Sequence, residues 1–147
     1  MQSVRPLALC ALLLSSTFAF AQAPTASSVG TGGSSAGSAT VGSGGSAAAG
    51  GTSASTLGLG AKSGDSQSIG SAGTAAAVDG KVSSQTKLSD DKAMSKAKAQ
   101  DGGTWSKSQT KTKIKDDVLS SRTKSMAHEP GGPPAKSTTR TSVPVGQ

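Results

Sequence analysis

Residues 29–40 read VGTGGSSAGSAT and residues 41–52 read VGSGGSAAAGGT, so a twelve-residue unit is repeated with seven identical positions. A third, partial copy, IGSAGTAAA, begins at Ile69. Each unit carries one large apolar residue, which is too few to bury a face against a neighbouring unit. No charged residue lies within residues 22–61. The stretch therefore predicts a flexible Gly/Ser/Ala/Thr-rich spacer, which we extend over residues 22–80.

The composition beyond residue 21 extends this argument to the rest of the chain. Gly, Ser, Ala and Thr supply 76 of these 126 residues, whereas the large apolar residues number 16. Leu, Ile and Val make up about 10% of residues 22–147, well below the ~20% under which chains stay disordered. The chain has one Cys, Cys10, and one His, His128, so neither a disulfide nor a structural metal compensates for a small core. We expect a mostly intrinsically disordered, low-complexity chain.

The amino-terminal residues 1–21 have the three parts of a secretory signal peptide. Arg5 supplies positive charge, residues 7–14 form an apolar run, and an Ala-Phe-Ala sequence ends at Ala21. We expect cleavage between Ala21 and Gln22 and a secreted or periplasmic destination, because the signal is of the bacterial export type. The apolar run is far shorter than the roughly 20 residues of a membrane-spanning helix, so we expect no transmembrane span in the mature chain.

A tandem duplication lies in the charged half of the chain, which carries 14 Lys or Arg and 8 Asp or Glu beyond residue 61. SQTK occurs at residues 84–87 and again at residues 108–111, and an Asp-Asp pair occurs at residues 90–91 and again at residues 116–117. Two successive units of similar sequence are therefore expected, within a basic segment that we bound at residues 81–132.

The order of charges in each unit favours one short helix. The Asp pairs come early, where acids stabilise a helix N-terminus, and basic residues such as Lys98 and Lys124 come late. Glycines at residues 102–103 and Pro130 with the glycines after it would end the two helices. Isolated helices of this length are marginal in water, so we expect them to be transient. Residues 133–147, rich in Pro and Thr, read as a disordered tail.

The residues that could carry chemistry do not form a catalytic or metal-binding pattern. Adjacent Asp residues on a helix point about 100° apart, and no His or Cys lies near either pair to complete a metal site. His128 has no nucleophile beside it, and Lys62-Ser63 follows Ala61 where a phosphate-binding loop needs Gly. We therefore expect no enzymatic activity, no cofactor, no metal and no small-molecule substrate.

The densest basic stretch lies in the second half of the duplication. Lys alternates with Thr112 and Ile114, so an extended chain would place these Lys side chains on one side. Such an array suits the phosphate, sulfate or carboxylate groups of a polyanion. Trp105, the single aromatic residue beyond residue 21, suits a sugar or a lipid interface, or a locally packed position. The residues predicted to bind a polyanion are Lys107, Lys111, Lys113, Lys115, Arg122 and Lys124, with Lys136 and Arg140 further along the chain.

These observations leave two hypotheses for the function. The first is an exported, non-enzymatic protein of the cell envelope or matrix, in which the basic segment adheres to an acidic polysaccharide, lipopolysaccharide or another polyanion such as nucleic acid. The second is a stress protectant, since residues 81–128 are similar in composition to late-embryogenesis-abundant and hydrophilin chains. A third interpretation, in which the charges only keep the chain soluble, stays open at this point.

Overall fold

Two antiparallel β-sheets form the part of the chain that the computed structural model describes, residues 23–35 and 38–145. The predicted signal peptide, with its cleavage site at Ala21 and Gln22, lies outside the described residues. Nine strands follow one another along the chain, and each pairs with the next strand of its own sheet. The two sheets therefore each form a simple meander.

The first sheet contains the uncharged repeats. Its order is β1-β2-β3-β4, and all neighbours are antiparallel. Its strands are β1 (Thr25–Ser35), β2 (Ser38–Ala49), β3 (Thr52–Ser63) and β4 (Ser66–Ala77).

The second sheet contains the charged half of the chain. It is also an antiparallel meander, and it faces the first sheet so that β9 lies against β1, β8 against β2, and β7 against β3. Both β5 and β6 lie against β4. The strands of this sheet are β5 (Lys81–Ser89), β6 (Lys92–Asp101), β7 (Thr104–Lys115), β8 (Val118–His128) and β9 (Ala135–Pro144).

Two-residue turns close five of the hairpins, and they account for the Gly-Gly and Asp-Asp pairs. At residues 50–51, 102–103 and 116–117 both central residues have positive φ, as a type I′ turn requires. Asp116 and Asp117, at 50° and 57°, take this conformation although neither is Gly. Asp and Asn tolerate it better than other side chains because they are short and polar.

The prediction of two short helices is wrong because the Asp pairs occupy hairpin turns. The Asp pairs at residues 90–91 and 116–117 are turn residues between strands, not helix starts, and no helix occurs within the described ranges. The duplication marks two successive hairpins: SQTK lies on β5 in one copy and on β7 in the other. Each copy therefore consists of a strand, an Asp-Asp turn and a second strand.

The expectation of a mostly disordered, low-complexity chain is also wrong. Residues 25–35 and 38–77, which lie within the predicted flexible spacer, contain the four strands of the first sheet, and the Pro/Thr tail contributes β9. The physical reason is the period of the small residues. Along β7 and β8 every second residue is buried, and most of these are Ser or Thr. This alternation is a strand pattern, although it uses hydroxyl residues where a count of large apolar side chains finds no core.

The core changes character along the length of the strands. At one end Val41, Ile114, Leu119 and Val143 pack with Ala39, and at the other end Ala residues of β2 and β8 pack together. The remaining buried side chains are small: Ala54 of β3, three alanines of β6 and eleven hydroxyl residues. The hydroxyl residues are Ser43, Thr52, Thr56, Ser95, Ser106, Ser108, Thr110, Thr112, Ser121, Thr123 and Ser125.

Hydrogen bonds between these hydroxyls cross the space between the sheets. Thr56 of β3 is bonded to both Ser108 and Thr110 of β7, each at 2.7 Å between oxygens. Thr123 of β8 donates to Ser43 of β2 at 2.9 Å and is bonded to Thr110 at 2.8 Å. Because buried hydroxyls without partners are costly, this network stabilises the polar core, in which Ser95 Oγ has no partner among the described residues.

Glycines of the first sheet let the hydroxyl side chains of the second approach closely. A Cβ added at Gly58 would lie 2.5 Å from both Thr110 Cγ2 and Thr112 Oγ1. A Cβ at Gly60 would lie 2.7 Å from Leu119 Cδ1. Inward glycines on β1, β2 and β4 meet β-strand side chains of the second sheet in the same way; they are Gly30, Gly32, Gly45 and Gly73.

We expect Gly58→Ala to destabilise the protein by about 3 kcal/mol, because the new methyl group overpacks the contact with Thr110 and Thr112. Chemical denaturation measures the effect. Gly70→Ala is the matched control: Gly70 lies on β4, its Cβ would meet nothing within 4 Å, and its φ is not positive. The control should stay within about 0.5 kcal/mol of the parent. Equal midpoints for the two variants would contradict the close approach of the sheets.

We expect Thr123→Val to lower the free energy of unfolding by about 1–3 kcal/mol, since it keeps the side-chain shape but removes one of the two side-chain hydrogen bonds of each of the buried hydroxyls of Ser43 and Thr110. Thr138→Val on β9 is the control, because Thr138 is exposed and faces outward. Thermal and urea unfolding of both variants test the network. A loss no larger than that of the control would mean that the hydroxyl bonds do not support the core.

Candidate functional site

The outward side of the second sheet is densely cationic, and we call the outward residues of β5 to β9 the basic face. Strand alternation and register place thirteen Lys or Arg residues there, and all are exposed. They are Lys81, Lys87, Lys92, Lys96, Lys98, Lys107, Lys111, Lys113, Lys115, Arg122, Lys124, Lys136 and Arg140.

The structure brings the predicted polyanion-binding residues together on two adjacent strands. Those of β7 point outward, and those of β8 lie beside them on the same face. The predicted set is Lys107, Lys111, Lys113, Lys115, Arg122 and Lys124.

Sequence reasoning missed the contribution of the first hairpin of the duplication. Its five cations lie on β5 and β6, next to β7 in the sheet. The signal was present, because Lys96 and Lys98 alternate with buried Ala as Lys111 and Lys113 alternate with Thr. A helix would place these residues at its basic C-terminal end, so the helix prediction did not include a common face.

Register aligns cations directly opposite one another across neighbouring strands. One row runs from Lys111 through Arg122 to Arg140, and Lys87 lies at its far end beyond Met94. Elsewhere on the face, the directly opposed pairs are Lys98 with Lys107 and Lys92 with Lys113. Since like charges directly opposite destabilise a sheet, the basic face carries an electrostatic cost.

Acidic residues are kept away from this face. The outward positions of β5 to β9 include no Asp or Glu, and the acids of the described chain lie in turns, in connections or at a strand end. Two ion pairs occur among the described residues. Lys115 Nζ lies 3.4 Å from Asp116 Oδ2, and both side chains are highly exposed. The other pair joins Lys62 and Asp117. Lys62 belongs to β3 of the first sheet, so the basic face stays almost uncompensated.

An aromatic pair lies at one end of the basic face. Trp105 of β7 is directly opposite His128 of β8, with ring centroids 5.7 Å apart and planes tilted by 39°. Both side chains are partly exposed, and Gln100 of β6 continues the row. His128 Nδ1 is buried without a hydrogen-bond partner among the described residues. Trp105 therefore offers part of an aromatic surface within reach of Lys98 and the next row of cations.

The sequence matches no protein-family model, no curated protein and no solved structure. Within the described ranges, no group of three or more His, Cys, Asp or Glu side chains is arranged to hold a metal ion. Among the same residues, no helix has the length and apolar character needed to cross a membrane. We therefore infer a function from the geometry and charge of the two outward sheet faces.

Proposed function

We propose that this protein is an exported, non-enzymatic protein of the cell envelope or matrix, and that its basic face binds an extended acidic polysaccharide. The observation that carries the proposal is the gathering of thirteen exposed cations, without one acid, on the outward side of a single sheet. Charges that served solubility alone would not need to share one face, because scattered charges give the same net charge.

The electrostatic cost of the face favours a ligand. Lys111, Arg122 and Arg140 lie directly opposite one another, so the Cβ atoms of neighbouring residues in this row are about 5 Å apart. Sheets usually avoid like charges in this arrangement. A polyanion lying over the row would replace this repulsion with attraction and release its own counterions. Binding is therefore expected to stabilise the fold as well as to hold the polymer.

The spacing of the cations suits a polymer more than a small anion. Alternate residues on a strand are about 6.8 Å apart and neighbouring strands about 4.8 Å apart, so the array repeats in both directions. No concave pocket is needed, because each repeat of an extended chain can meet a new cation. Arg122 and Arg140 add planar groups that can bind a carboxylate or a sulfate through two hydrogen bonds.

Trp105 supports a sugar-containing polymer. An aromatic ring with an exposed part of its surface packs against the apolar side of a pyranose ring, while Lys98 and Lys107 meet the acidic groups. One aromatic side chain does not make the series of stacking platforms on which proteins bind single-stranded nucleic acid. Lipopolysaccharide shares sugars and anionic groups with this ligand class. The protectant hypothesis keeps its compositional basis, but no contact among the described residues favours it.

We expect a variant with Lys111→Gln, Arg122→Gln and Arg140→Gln to bind an acidic oligosaccharide at least tenfold more weakly, because the central row of the face loses its charge. Calorimetric titration at low salt measures the change. For the parent protein, binding should weaken steeply as salt rises, and saturating ligand should raise the melting temperature.

The control for this variant has the same net charge with the basic face intact. Thr25→Glu, Ser53→Glu and Ser68→Glu also lower the charge by three, at exposed positions of the first sheet. An oligosaccharide short enough to meet one face avoids any effect of association between copies. If this control lost as much affinity as the triple Gln variant, binding would follow net charge, and the proposal that one face forms the site would be wrong.

We expect Trp105→Ala to weaken binding of the acidic oligosaccharide about tenfold, close to the contribution of one stacked ring, and to leave inorganic polyphosphate binding almost unchanged. Trp105→Phe should lie between the two, since it keeps a smaller ring. Circular dichroism checks that each variant is folded. Equal losses for both ligands would show that Trp105 does not contact a sugar.

A further inference from the structure

The outward side of the first sheet is the opposite of the basic face, and we call the outward residues of β1 to β4 the uncharged face. Every one of these residues in the described chain is uncharged, and most are Gly, Ala, Ser or Thr. Lys62, the one cation of this sheet, has inward strand parity and pairs with Asp117. The two outward faces of the protein thus differ completely in charge.

Three large apolar side chains lie exposed near the middle of the uncharged face. Val29 is 55% exposed, Leu57 41% and Leu59 53%. Register joins them: Val29 and Leu57 both pair with Gly44, and Leu59 pairs with Gly42. A Cβ at Gly42 would lie 3.4 Å from Leu59 Cδ2, so the leucines lie close over the glycines of β2. The apolar patch therefore packs over the glycines of β2 and rises only slightly above the sheet.

A shallow depression adjoins this patch. It is lined on the uncharged face by Thr31, Gly33, Thr40, Gly42, Leu59 and Gly70. The glycines leave it open, since a Cβ at Gly33 or Gly70 would meet nothing within 4 Å. The same face thus carries both an apolar projection, however low, and a space that can receive one.

We propose that the uncharged face packs against the uncharged face of a second copy of this chain. Such an isologous contact needs one patch that is complementary to itself, and the apolar patch beside its depression meets this need. It also turns the two basic faces away from each other, which minimises repulsion between chains of formal net charge +7. Any contact through a basic face would instead bring its cations toward the other copy.

The area of the face is sufficient for a stable dimer. Four strands of 11–12 residues, with a rise of about 3.4 Å per residue and a spacing of about 4.8 Å, cover roughly 750 Å² in each copy. The pair would bury about 1,500 Å², within the range of about 1,200–2,000 Å² for specific interfaces. The small side chains let the first sheets of the two copies approach each other closely, as the two sheets do within one chain.

Sedimentation of the full chain over a range of concentrations tests this proposal. The parent should form dimers, and a Leu57→Lys, Leu59→Lys variant should raise the dissociation constant at least tenfold, because it brings four unpaired cations into the interface. Gly70→Lys should do the same by filling the depression, and the open space around Gly70 lets the fold accept it. Added salt should preserve or strengthen the dimer, in contrast to polysaccharide binding.

The matched control is a Val82→Lys, Leu88→Lys variant on β5. It replaces two apolar residues that are somewhat more exposed than the leucines, at 55% and 61%, with the same two cations outside the uncharged face. It should dimerise like the parent. A parent that stays monomeric at all concentrations would overturn the proposal, as would association that only this control reduces. Open-ended assembly that the leucine variant leaves unchanged would assign the contact to the exposed edge of β1 and would also overturn it. None of these results depends on polysaccharide binding.

Discussion

The close contact between glycines of one sheet and hydroxyl side chains of the other supports the whole structure. Thr110 shows the requirement: its methyl group fits against Gly58, and its hydroxyl is bonded to Thr56 and Thr123. A larger residue at Gly58 would separate the sheets, and an apolar residue at Thr110 would remove one hydrogen bond each from Thr56 and Thr123. Size and hydrogen bonding must therefore be satisfied at the same positions, which makes this core specific although it is polar.

The composition of the core explains why the two outward faces are free to differ. Inward Ser, Thr and Gly hold the sheets together in both halves of the chain, so the outward positions need not contribute apolar area. In β5 to β9 these positions carry thirteen Lys or Arg residues, and in β1 to β4 they carry only uncharged residues, most of them small. The change occurs in the connection at residues 78–80, between the sheets. Each sheet therefore presents one chemical character on its outer side.

Sequence reasoning predicted the shared orientation of part of the basic face but not the fold. The alternation in residues 111–115 predicted a common side for Lys111, Lys113 and Lys115 in an extended chain, and β7 has this arrangement. The prediction of a disordered chain was wrong because it depended on the number of large apolar side chains. This core is built instead from pairs of hydroxyls and from glycines that contact them. Such pairing depends on contacts between residues such as Ser43 and Thr123, far apart in sequence. A composition contains no information on those contacts.

The turns show why the helices were predicted in place of strands. An acidic pair followed by basic residues has the same charge order whether it begins a helix or closes a hairpin, so charge alone did not distinguish the two. The period of buried residues distinguishes a helix from a hairpin. In β6 and β8 buried residues recur at every second position, and this places every Lys and Arg of those strands on one side. A helix would distribute them around its axis. The basic face is therefore a product of the strand period, and the hairpin duplication that enlarged the sheet also enlarged this face.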